Sequence, residues 1–245
     1  MTYEEIVKLW KAGTIGGDKN FAELFRDFSV LFSYNSGKIG NEDITIEGIR
    51  ELFETGTVKN YLGDVSTIFE MGNASEAWDF IIERLGEREE LSEDFVKDLH
   101  RVVTADTYGE EMIEKGEEPG EYKNNDYTGC ANEVGAFPED VQDEMDALID
   151  EVNDTEDTKA IVSAAYFHAQ FGNIHPFADG NGRVSRLIMN YLLLLKDHPP
   201  VVIFADDIDA YYDALKAWDD EDELKPMVEF LRKETVKTWA EILDN

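Results

Sequence analysis

Residues 160–195 read AIVSAAYFHAQFGNIHPFADGNGRVSRLIMNYLLLL, and this stretch decides the fold. Apolar residues recur at helical spacing on both sides of a glycine-rich interval. The spacing predicts one buried helix that ends near Gly172 and a second that begins near Gly182. The apolar run 187–195 is interrupted by Asn190 and is far too short to cross a bilayer, so it is predicted to be a core helix.

Helical periodicity also dominates the rest of the chain. Amphipathic segments with apolar residues three and four positions apart cover residues 21–32, 65–85, 91–103, 141–152, 160–171, 184–195 and 226–243. These segments are rich in Leu, Ala and Glu and contain few β-branched runs, which predicts a mostly α protein. The exception is the interval 116–138, where Gly, Asn and Pro separate short extended pieces and indicate a hairpin or an irregular flap.

Composition limits the classes of function. The 245 residues are 42% hydrophobic, which is enough for a folded core, and they carry a formal net charge of −33. Such an acidic chain is a poor candidate for binding nucleic acid or an anionic membrane surface, because both depend on cationic residues. Cys130 is the single cysteine and the N-terminus contains no secretory signal, so we expect a reducing, cytoplasmic location.

The loop between the two core helices has the features of a phosphate site. Gly180 and Gly182 can adopt backbone angles that turn successive N–H groups toward an anion. The N-terminus of the following helix adds unpaired N–H groups and the positive end of its dipole. Arg183 and Arg186 lie three residues apart, so both extend from one side of the first turn.

Two further residues of the loop suit nucleotide chemistry. Asp179 supplies a hard oxygen of the kind that Mg²⁺ needs when substrate phosphates hold most of its coordination sphere. His175 is the nearby side chain that can accept a proton near neutral pH. Taken singly, a His is most often structural, as we expect for His100 and His198, and an Arg pair is most often a solvated surface. Two of only eight arginines stand in this loop, however, so the whole group predicts a nucleotide-using transferase.

The stretch His175-Pro-Phe-Ala-Asp-Gly-Asn-Gly-Arg-Val-Ser-Arg186 resembles the active-site motif of the Fic (Fido) family at every defining position. The resemblance extends over residues 34–232 and includes the flanking segments 164–174 and 187–200. It implies a mostly α Fic bundle with a short β-hairpin flap.

The resemblance also implies a division of the chain. Residues 1–88 are expected to form an N-terminal helical extension, which contains an inhibitory-helix-like segment at 21–42. Residues 89–245 are expected to form the Fic domain, with its active-site loop at 175–186.

Family members mostly transfer AMP from ATP to a Ser, Thr or Tyr hydroxyl of a target protein, and the resemblance implies roles in this reaction. His175 corresponds to the general base, and Asp179 to the residue that holds Mg²⁺ between the α- and β-phosphates. Arg183 corresponds to a contact with the phosphate chain, and Arg186 to the arginine that holds the γ-phosphate. The other nucleotide-binding positions are Gly180, Asn181 and Gly182, which match the anion hole, and Val184 and Ser185; Phe177 matches a buried anchor.

Three aromatic or acidic residues correspond to family positions near the nucleotide base. They are Tyr211, Tyr212 and Asp219. Helical spacing offers an alternative for Tyr211, which would form a core stripe with Leu215 and Trp218.

The flap corresponds by position to a hairpin that holds a segment of the target protein by strand-like pairing. Its residues are Thr128, Gly129, Cys130 and Ala131. The expected partner is therefore a protein substrate with an exposed hydroxyl side chain. The sequence leaves self-modification and homo-oligomerisation open.

Residues 34–45, YNSGKIGNEDIT, resemble the inhibitory helix of Fic proteins whose inhibitor lies N-terminal. Ser36 and Asn41 match that motif, but Gly40 stands where the motif has Glu. In the family this Glu pairs with the arginine that matches Arg186 and prevents productive ATP binding. We therefore expect Arg186 to remain free for the γ-phosphate.

Three explanations for Gly40 stay open. It is a natural loss, or Glu42 substitutes from a shifted position, or the chain is a de-inhibited variant of a parent with Glu. Gly37 and Gly40 each weaken a helix end by about 1 kcal/mol relative to Ala, which favours the last explanation.

The leading hypothesis is a Mg²⁺- and ATP-dependent protein adenylyltransferase. The alternatives are removal of AMP from a modified protein, transfer of another nucleotide, and a nucleotide-binding module without turnover. The absent Glu at position 40 argues against removal of AMP, because the family uses that residue to orient water. The target protein and its modified residue are not identified by the sequence.

Overall fold

We analysed a computed structural model of the chain, which describes residues 1–16, 21–59, 61, 63–128, 135–156 and 159–244. Most of these residues are helical, which confirms the predicted mostly α class. The helices are α1 (Tyr3–Lys11), α2 (Phe21–Lys38), α3 (Ile46–Thr55), α4 (Val65–Glu87), α5 (Glu93–Val103), α6 (Glu110–Glu114), α7 (Val141–Asn153), α8 (Ala160–Ile174), α9 (Asn181–Leu195), α10 (Ile208–Glu221) and α11 (Lys225–Asp244).

Helices α8 and α9 form the centre of the molecule. Both are buried on nearly all sides, which is what an all-round apolar helix requires. Helices α2, α4 and α5 pack against α9, and α7, α10 and α11 pack against α8. The active-site loop predicted from the sequence lies between the two central helices, so the core itself fixes both of its ends.

Asn190, which interrupts the apolar run of α9, is completely buried and has a structural role. Its Nδ2 donates to the carbonyl of Val201 at 3.0 Å, and its Oδ1 accepts from the N–H of Val201 at 2.7 Å. The Asn190 side chain thus satisfies both backbone hydrogen-bonding groups of Val201 in the buried segment 201–204. A polar residue in a core run is tolerated because its hydrogen-bonding groups are satisfied.

The N-terminal helices share their core with the rest of the chain. Phe28 and Phe32 of α2 pack edge-on against Trp78 of α4, and Phe28 also stacks on Trp239 of α11. The main hydrophobic cluster therefore contains residues on both sides of the predicted boundary between residues 88 and 89. That division stays a prediction. Within the described ranges, no helix has the length and apolar character needed to span a membrane.

The predicted β-hairpin flap is not supported by the described part of the chain, which contains no strand. Residues 121–128 are irregular, and exposed Thr128 lies at their end. The other flap residues Gly129, Cys130 and Ala131 lie outside the described residues. The flanking backbone pairs with the active-site loop instead: the N–H of Lys123 donates to Pro176 at 2.9 Å, and the N–H of Ala136 donates to Ile174 at 2.8 Å.

Candidate active site

The loop between α8 and α9 begins and ends with residues in the left-handed conformation. Helix α8 ends at Ile174, and His175 caps it with φ +51°. Gly180 precedes α9 with φ +80°, and a Cβ there would lie 2.7 Å from Thr104 Cγ2, so glycine is required. Gly182 was expected to adopt an unusual conformation as well, but this is wrong because it lies in the first turn of α9.

The first turn of α9 presents backbone donors to the loop. The first helical hydrogen bond is donated by the N–H of Val184 to the carbonyl of Gly180 at 3.0 Å. The N–H groups of Asn181, Gly182 and Arg183 precede this bond, so the helix leaves them available at its positive end. Such an arrangement can bind an anion, and the anion site at the start of α9 stays a prediction.

Asn181 braces the loop with its side chain. It is 5% exposed, its Oδ1 accepts from the N–H of Phe177 at 2.9 Å, and its Nδ2 donates to the carbonyl of Phe177 at 2.7 Å. The same Nδ2 lies 3.2 Å from Nε2 of His175. Asn181 therefore holds both the buried anchor Phe177 and the imidazole of His175.

His175 is held as a neutral imidazole. Burial and then the nearby Lys123 ammonium lower its pKa to about 4, while Asp179 acts in the opposite direction. Lys123 is itself buried, where its Nζ donates to the carbonyl of Tyr127 at 2.7 Å. At neutral pH the ring of His175 can therefore accept a proton.

Asp179 and Arg183 form an ion pair of 3.0 Å across one turn. The carboxylate of Asp179 is 46% exposed, so an incoming cation can reach it. No group of three or more His, Cys, Asp and Glu side chains suited to a metal occurs in the part of the chain described. A single accessible carboxylate beside free backbone donors fits Mg²⁺ that arrives with its nucleotide, because phosphates and water then supply the other ligands.

Arg186 is occupied by the N-terminal region. It is 4% exposed, its Nε donates to Oγ of Ser36 at 2.9 Å, and its Nη2 donates to the carbonyl of Ser36 at 2.9 Å. The expectation that Arg186 is free is therefore wrong, because a serine at the end of α2 satisfies two of its donors. Within the described chain, no carboxylate forms an ion pair with it.

The segment after Ser36 shows how the inhibitory-helix-like region is built. Gly40 is exposed in the turn after α2, and a Cβ there would meet nothing closer than the carbonyl of Gly37 at 3.9 Å. The Nδ2 of Asn41 donates to Oγ1 of Thr67 at 3.0 Å and approaches Oε2 of Glu70 at 3.3 Å. Asn41 therefore anchors this turn to α4.

The structure also bears on the explanations for Gly40. A Cβ at Gly37 would lie 2.5 Å from Cδ1 of buried Ile44, so this glycine has a packing reason and no longer favours a de-inhibited variant. Glu42 is exposed in the turn, whereas Arg186 is buried against Ser36. Substitution by Glu42 is therefore not observed in this structure.

The residues assigned to the nucleotide base are only partly accessible. Tyr211 is 3% exposed, and its hydroxyl lies 2.9 Å from Nε2 of buried His168, which places it in the core as the alternative predicted. Tyr212 is half-buried beside it, with ring centroids 5.3 Å apart. Asp219 accepts a hydrogen bond of 3.0 Å from Asn173, two residues before His175. Of the three, Tyr212 and Asp219 remain candidates for nucleotide contact.

One residue of the site was missed by the sequence argument. His100, which was expected to be structural, is completely buried and stacks on Phe177 with centroids 3.7 Å apart. Its Nε2 lies 3.0 Å from the carbonyl of Asp179. Its position in the apolar stripe of α5 gave no signal of this contact, because the partner lies 79 residues further along the chain.

Comparisons with known proteins agree with this geometry. A model of the Fic/DOC family matches residues 90–193. The chain is 45% identical over 82 residues to a protein adenylyltransferase Fic of Drosophila persimilis, which covers 31% of this chain and 16% of the relative. It is 29% identical over 211 residues to a protein adenylyltransferase Fic of Nematostella vectensis, which covers 84% of this chain and 46% of the relative. The chain thus spans less than half the length of both relatives.

A solved structure shows the same fold. It is a Fic domain containing signaling protein from Bacteroides thetaiotaomicron, with a TM-score of 0.83 and 23% sequence identity. The superposition covers 99% of this chain and 95% of that one. The likeness therefore extends over the N-terminal helices as well as over the loop and its two central helices.

Proposed function

We propose that the chain is a member of the Fic/DOC family and that it transfers AMP from ATP to a hydroxyl side chain of a target protein. The observation that carries this proposal is the arrangement at the start of α9. A neutral His175, the three backbone N–H groups that precede the first hydrogen bond of α9 and the guanidinium of Arg183 meet there within one turn. The names of the curated relatives support the same reaction.

In the proposed reaction, the target hydroxyl oxygen forms a bond to the α-phosphorus of ATP, and the bond from that phosphorus to the bridging oxygen of the β-phosphate breaks. Pyrophosphate leaves, and Nδ1 or Nε2 of His175 takes the hydroxyl proton. The N–H groups of Asn181, Gly182 and Arg183 stabilise the charge that develops on the α-phosphate. Most of the acceleration comes from this positioning, with proton removal contributing about 10²- to 10⁴-fold.

We propose that Asp179 holds Mg²⁺ when ATP is bound. The ion would neutralise charge between the α- and β-phosphates. For this the ion pair between Asp179 and Arg183 has to open, which leaves Arg183 to contact the phosphate chain. The ion pair is partly exposed, so its loss costs little, about 0–1 kcal/mol.

For Arg186 to bind the γ-phosphate, a larger change is needed than the opening of the ion pair between Asp179 and Arg183. Two hydrogen bonds to Ser36 must be exchanged for contacts with the γ-phosphate. We propose that the end of α2 is the inhibitory element of this chain and acts by occupying Arg186. Without a carboxylate at position 40, the contact is made by neutral oxygens, which hold a guanidinium more weakly than a carboxylate does.

The partner and the location are also proposals. The partner is a protein with an exposed Ser, Thr or Tyr hydroxyl. A cytoplasmic location is proposed because Cys130 is the single cysteine of the chain, so no intramolecular disulfide can form.

Mass spectrometry tests the proposed function. The purified chain is incubated with a cell lysate, ATP and Mg²⁺, and proteins are examined for the mass of one AMP unit on Ser, Thr or Tyr. A matched sample contains the chain with His175→Asn, which keeps the left-handed backbone because Asn tolerates positive φ. AMP adducts in the first sample alone support the proposal. Tightly bound but intact ATP without any adduct would indicate a nucleotide-binding module instead.

A further inference from the structure

His100 connects Gly120, in the irregular interval 116–138, to the active-site loop through its two ring nitrogens. Its Nδ1 lies 2.7 Å from the backbone nitrogen of Gly120, and its Nε2 lies 3.0 Å from the carbonyl oxygen of Asp179. A backbone N–H is always a donor, so Nδ1 must accept and Nε2 must carry the ring proton. The two contacts therefore fix one tautomer, in which Nε2–H donates to Asp179.

The surroundings of His100 are built for this contact. Gly120 has φ +85°, a left-handed conformation that favours glycine, and in it the N–H of Gly120 faces Nδ1 of His100. The ring of Phe177 stacks on the imidazole at an interplanar angle of 9°. A Cβ at Gly180 would lie 3.5 Å from Nε2 of His100 and 2.7 Å from Thr104. The imidazole is thus enclosed by both segments that it joins.

We propose that His100 is a positioning residue for nucleotide binding, which holds the peptide of Asp179 so that this carboxylate and the N–H groups after it face the nucleotide. This inference rests on the proposed function. The carbonyl of Asp179 belongs to the peptide that enters Gly180, whose left-handed conformation starts α9. Rotation of that peptide would move the Asp179 side chain and the first donors of the helix together.

Two variants of His100 test its two hydrogen bonds one at a time. In His100→Gln, the side-chain amide nitrogen reaches as far as Nε2 and can still donate to Asp179, but the acceptor for Gly120 is lost. In His100→Asn, the amide oxygen reaches as far as Nδ1 and can still accept from Gly120, but the donor to Asp179 is lost. His100→Phe keeps the stacking on Phe177 and loses both hydrogen bonds.

The test measures equilibrium binding of ATP by titration calorimetry, with Mg²⁺ and with a chelator, together with urea unfolding of each variant. His100→Gln and His100→Asn each lose one buried hydrogen bond, so a purely structural role predicts equal loss of stability and equal affinity. The proposal predicts that His100→Gln binds MgATP within about threefold of the wild type, whereas His100→Asn and His100→Phe bind at least about tenfold more weakly. The loss should be larger with Mg²⁺ than with the chelator.

His198 provides the matched control, because it is also buried and its Nδ1 lies 3.3 Å from the hydroxyl of Tyr3, away from the loop. His198→Gln should change stability without changing the affinity for MgATP. A long-range ¹H–¹⁵N spectrum of the wild-type chain tests the tautomer without any variant, and a proton on Nδ1 of His100 would overturn the proposal.

The outcomes distinguish this inference from the proposed function. Equal MgATP affinity of the wild type, His100→Asn and His100→Phe would overturn the role of His100 alone. Binding of MgATP by the wild type without AMP transfer would contradict the proposed function and leave the positioning role standing. If the wild-type chain binds no MgATP, both proposals fail.

Discussion

The two arginines of the active-site helix are held in different ways. Arg183 pairs with Asp179 four residues earlier, in a partly exposed contact within one helical turn. Arg186 is buried and bonded to Ser36, which lies 150 residues away in the chain. The charged partner of Arg183 is therefore local, whereas the contact of Arg186 at the junction of α2 and α9 depends on tertiary packing. In our proposal the loop carries the chemistry, and the junction controls access of the triphosphate to it.

The largest effect on the rate of AMP transfer is expected from removing His175, the proposed base of the loop. His175→Asn should lower the rate of AMP transfer by about 10³-fold, because the other proton acceptor of the loop, Asp179, is paired with Arg183 and is the proposed Mg²⁺ ligand. Folding should be retained, since Asn tolerates the left-handed conformation of this position. The rate is measured with α-labelled ATP, and the urea midpoint serves as the control for folding. Transfer at the full rate would contradict the mechanism.

The proposed control at the junction of α2 and α9 is tested by placing a carboxylate at position 40. Position 40 lies four residues after Ser36, and the space around a Cβ there is open. Gly40→Glu should therefore lower the transfer rate about 10- to 100-fold, because a charged partner holds Arg186 by about 1.5–3 kcal/mol.

Gly40→Gln is the matched control, since it has the same size and helix propensity without the charge. It should leave the rate within a few-fold of the wild type. Equal rates for the wild type and Gly40→Glu would show that the junction does not control access to Arg186.

Weakening the observed contact between Ser36 and Arg186 should favour ATP binding, with a smaller effect than that of Gly40→Glu. Ser36→Ala removes the hydroxyl that accepts from Nε of Arg186 and keeps the backbone carbonyl that accepts from Nη2. Affinity for ATP, measured by calorimetry, should rise about 2- to 10-fold, because one neutral hydrogen bond contributes about 0.5–1.5 kcal/mol.

Ser33→Ala on the same helix is the control for this variant, since the buried Ser33 hydroxyl has no hydrogen-bond partner among the residues that the structure describes. Its effect on ATP affinity should be close to zero. If Ser36→Ala behaves like Ser33→Ala, the contact with Arg186 does not restrain nucleotide binding.

The smallest expected effect concerns the pH dependence of the transfer rate. Burial, and then the Lys123 ammonium, lower the pKa of His175 to about 4 from its ordinary value of 6.5. A base is active when deprotonated, so the single-turnover rate should be flat from pH 6 to pH 8 and fall only as the pH approaches about 4. Lys123→Met should move this fall to higher pH, because it removes the cation. An inflection near pH 6.5 in the wild type would contradict the assignment.

The same division between local and distant contacts decides what could be predicted from the sequence. Helix period and the glycine-rich interval placed α8 and α9 with ends only one or two residues from those observed. The pairing of Asp179 with Arg183 lies within one turn, so the residues of the loop could be grouped from their spacing alone. Local geometry of this kind is encoded over a few positions and is visible in the sequence.

Three of the misses depend on contacts between residues that are more than one helical turn apart in the chain. Neither the bond between Ser36 and Arg186 nor that between His100 and Asp179 has a local signal, and the need for glycine at position 37 follows from the approach of Ile44. Gly182 was misjudged for a different reason. Glycine permits a positive φ without requiring it, and here the helix begins before that position.

The central claim is that the loop 175–186 transfers the AMP portion of ATP to a protein. Its most direct test compares ATP labelled at the α-phosphate with ATP labelled at the γ-phosphate, incubated with the chain, Mg²⁺ and a lysate. We predict stable protein labelling from the α-phosphate alone, and none with His175→Asn. Labelling from the γ-phosphate would indicate phosphoryl transfer, and labelling that survives the loss of His175 would show that the chemistry lies elsewhere; either result contradicts the account.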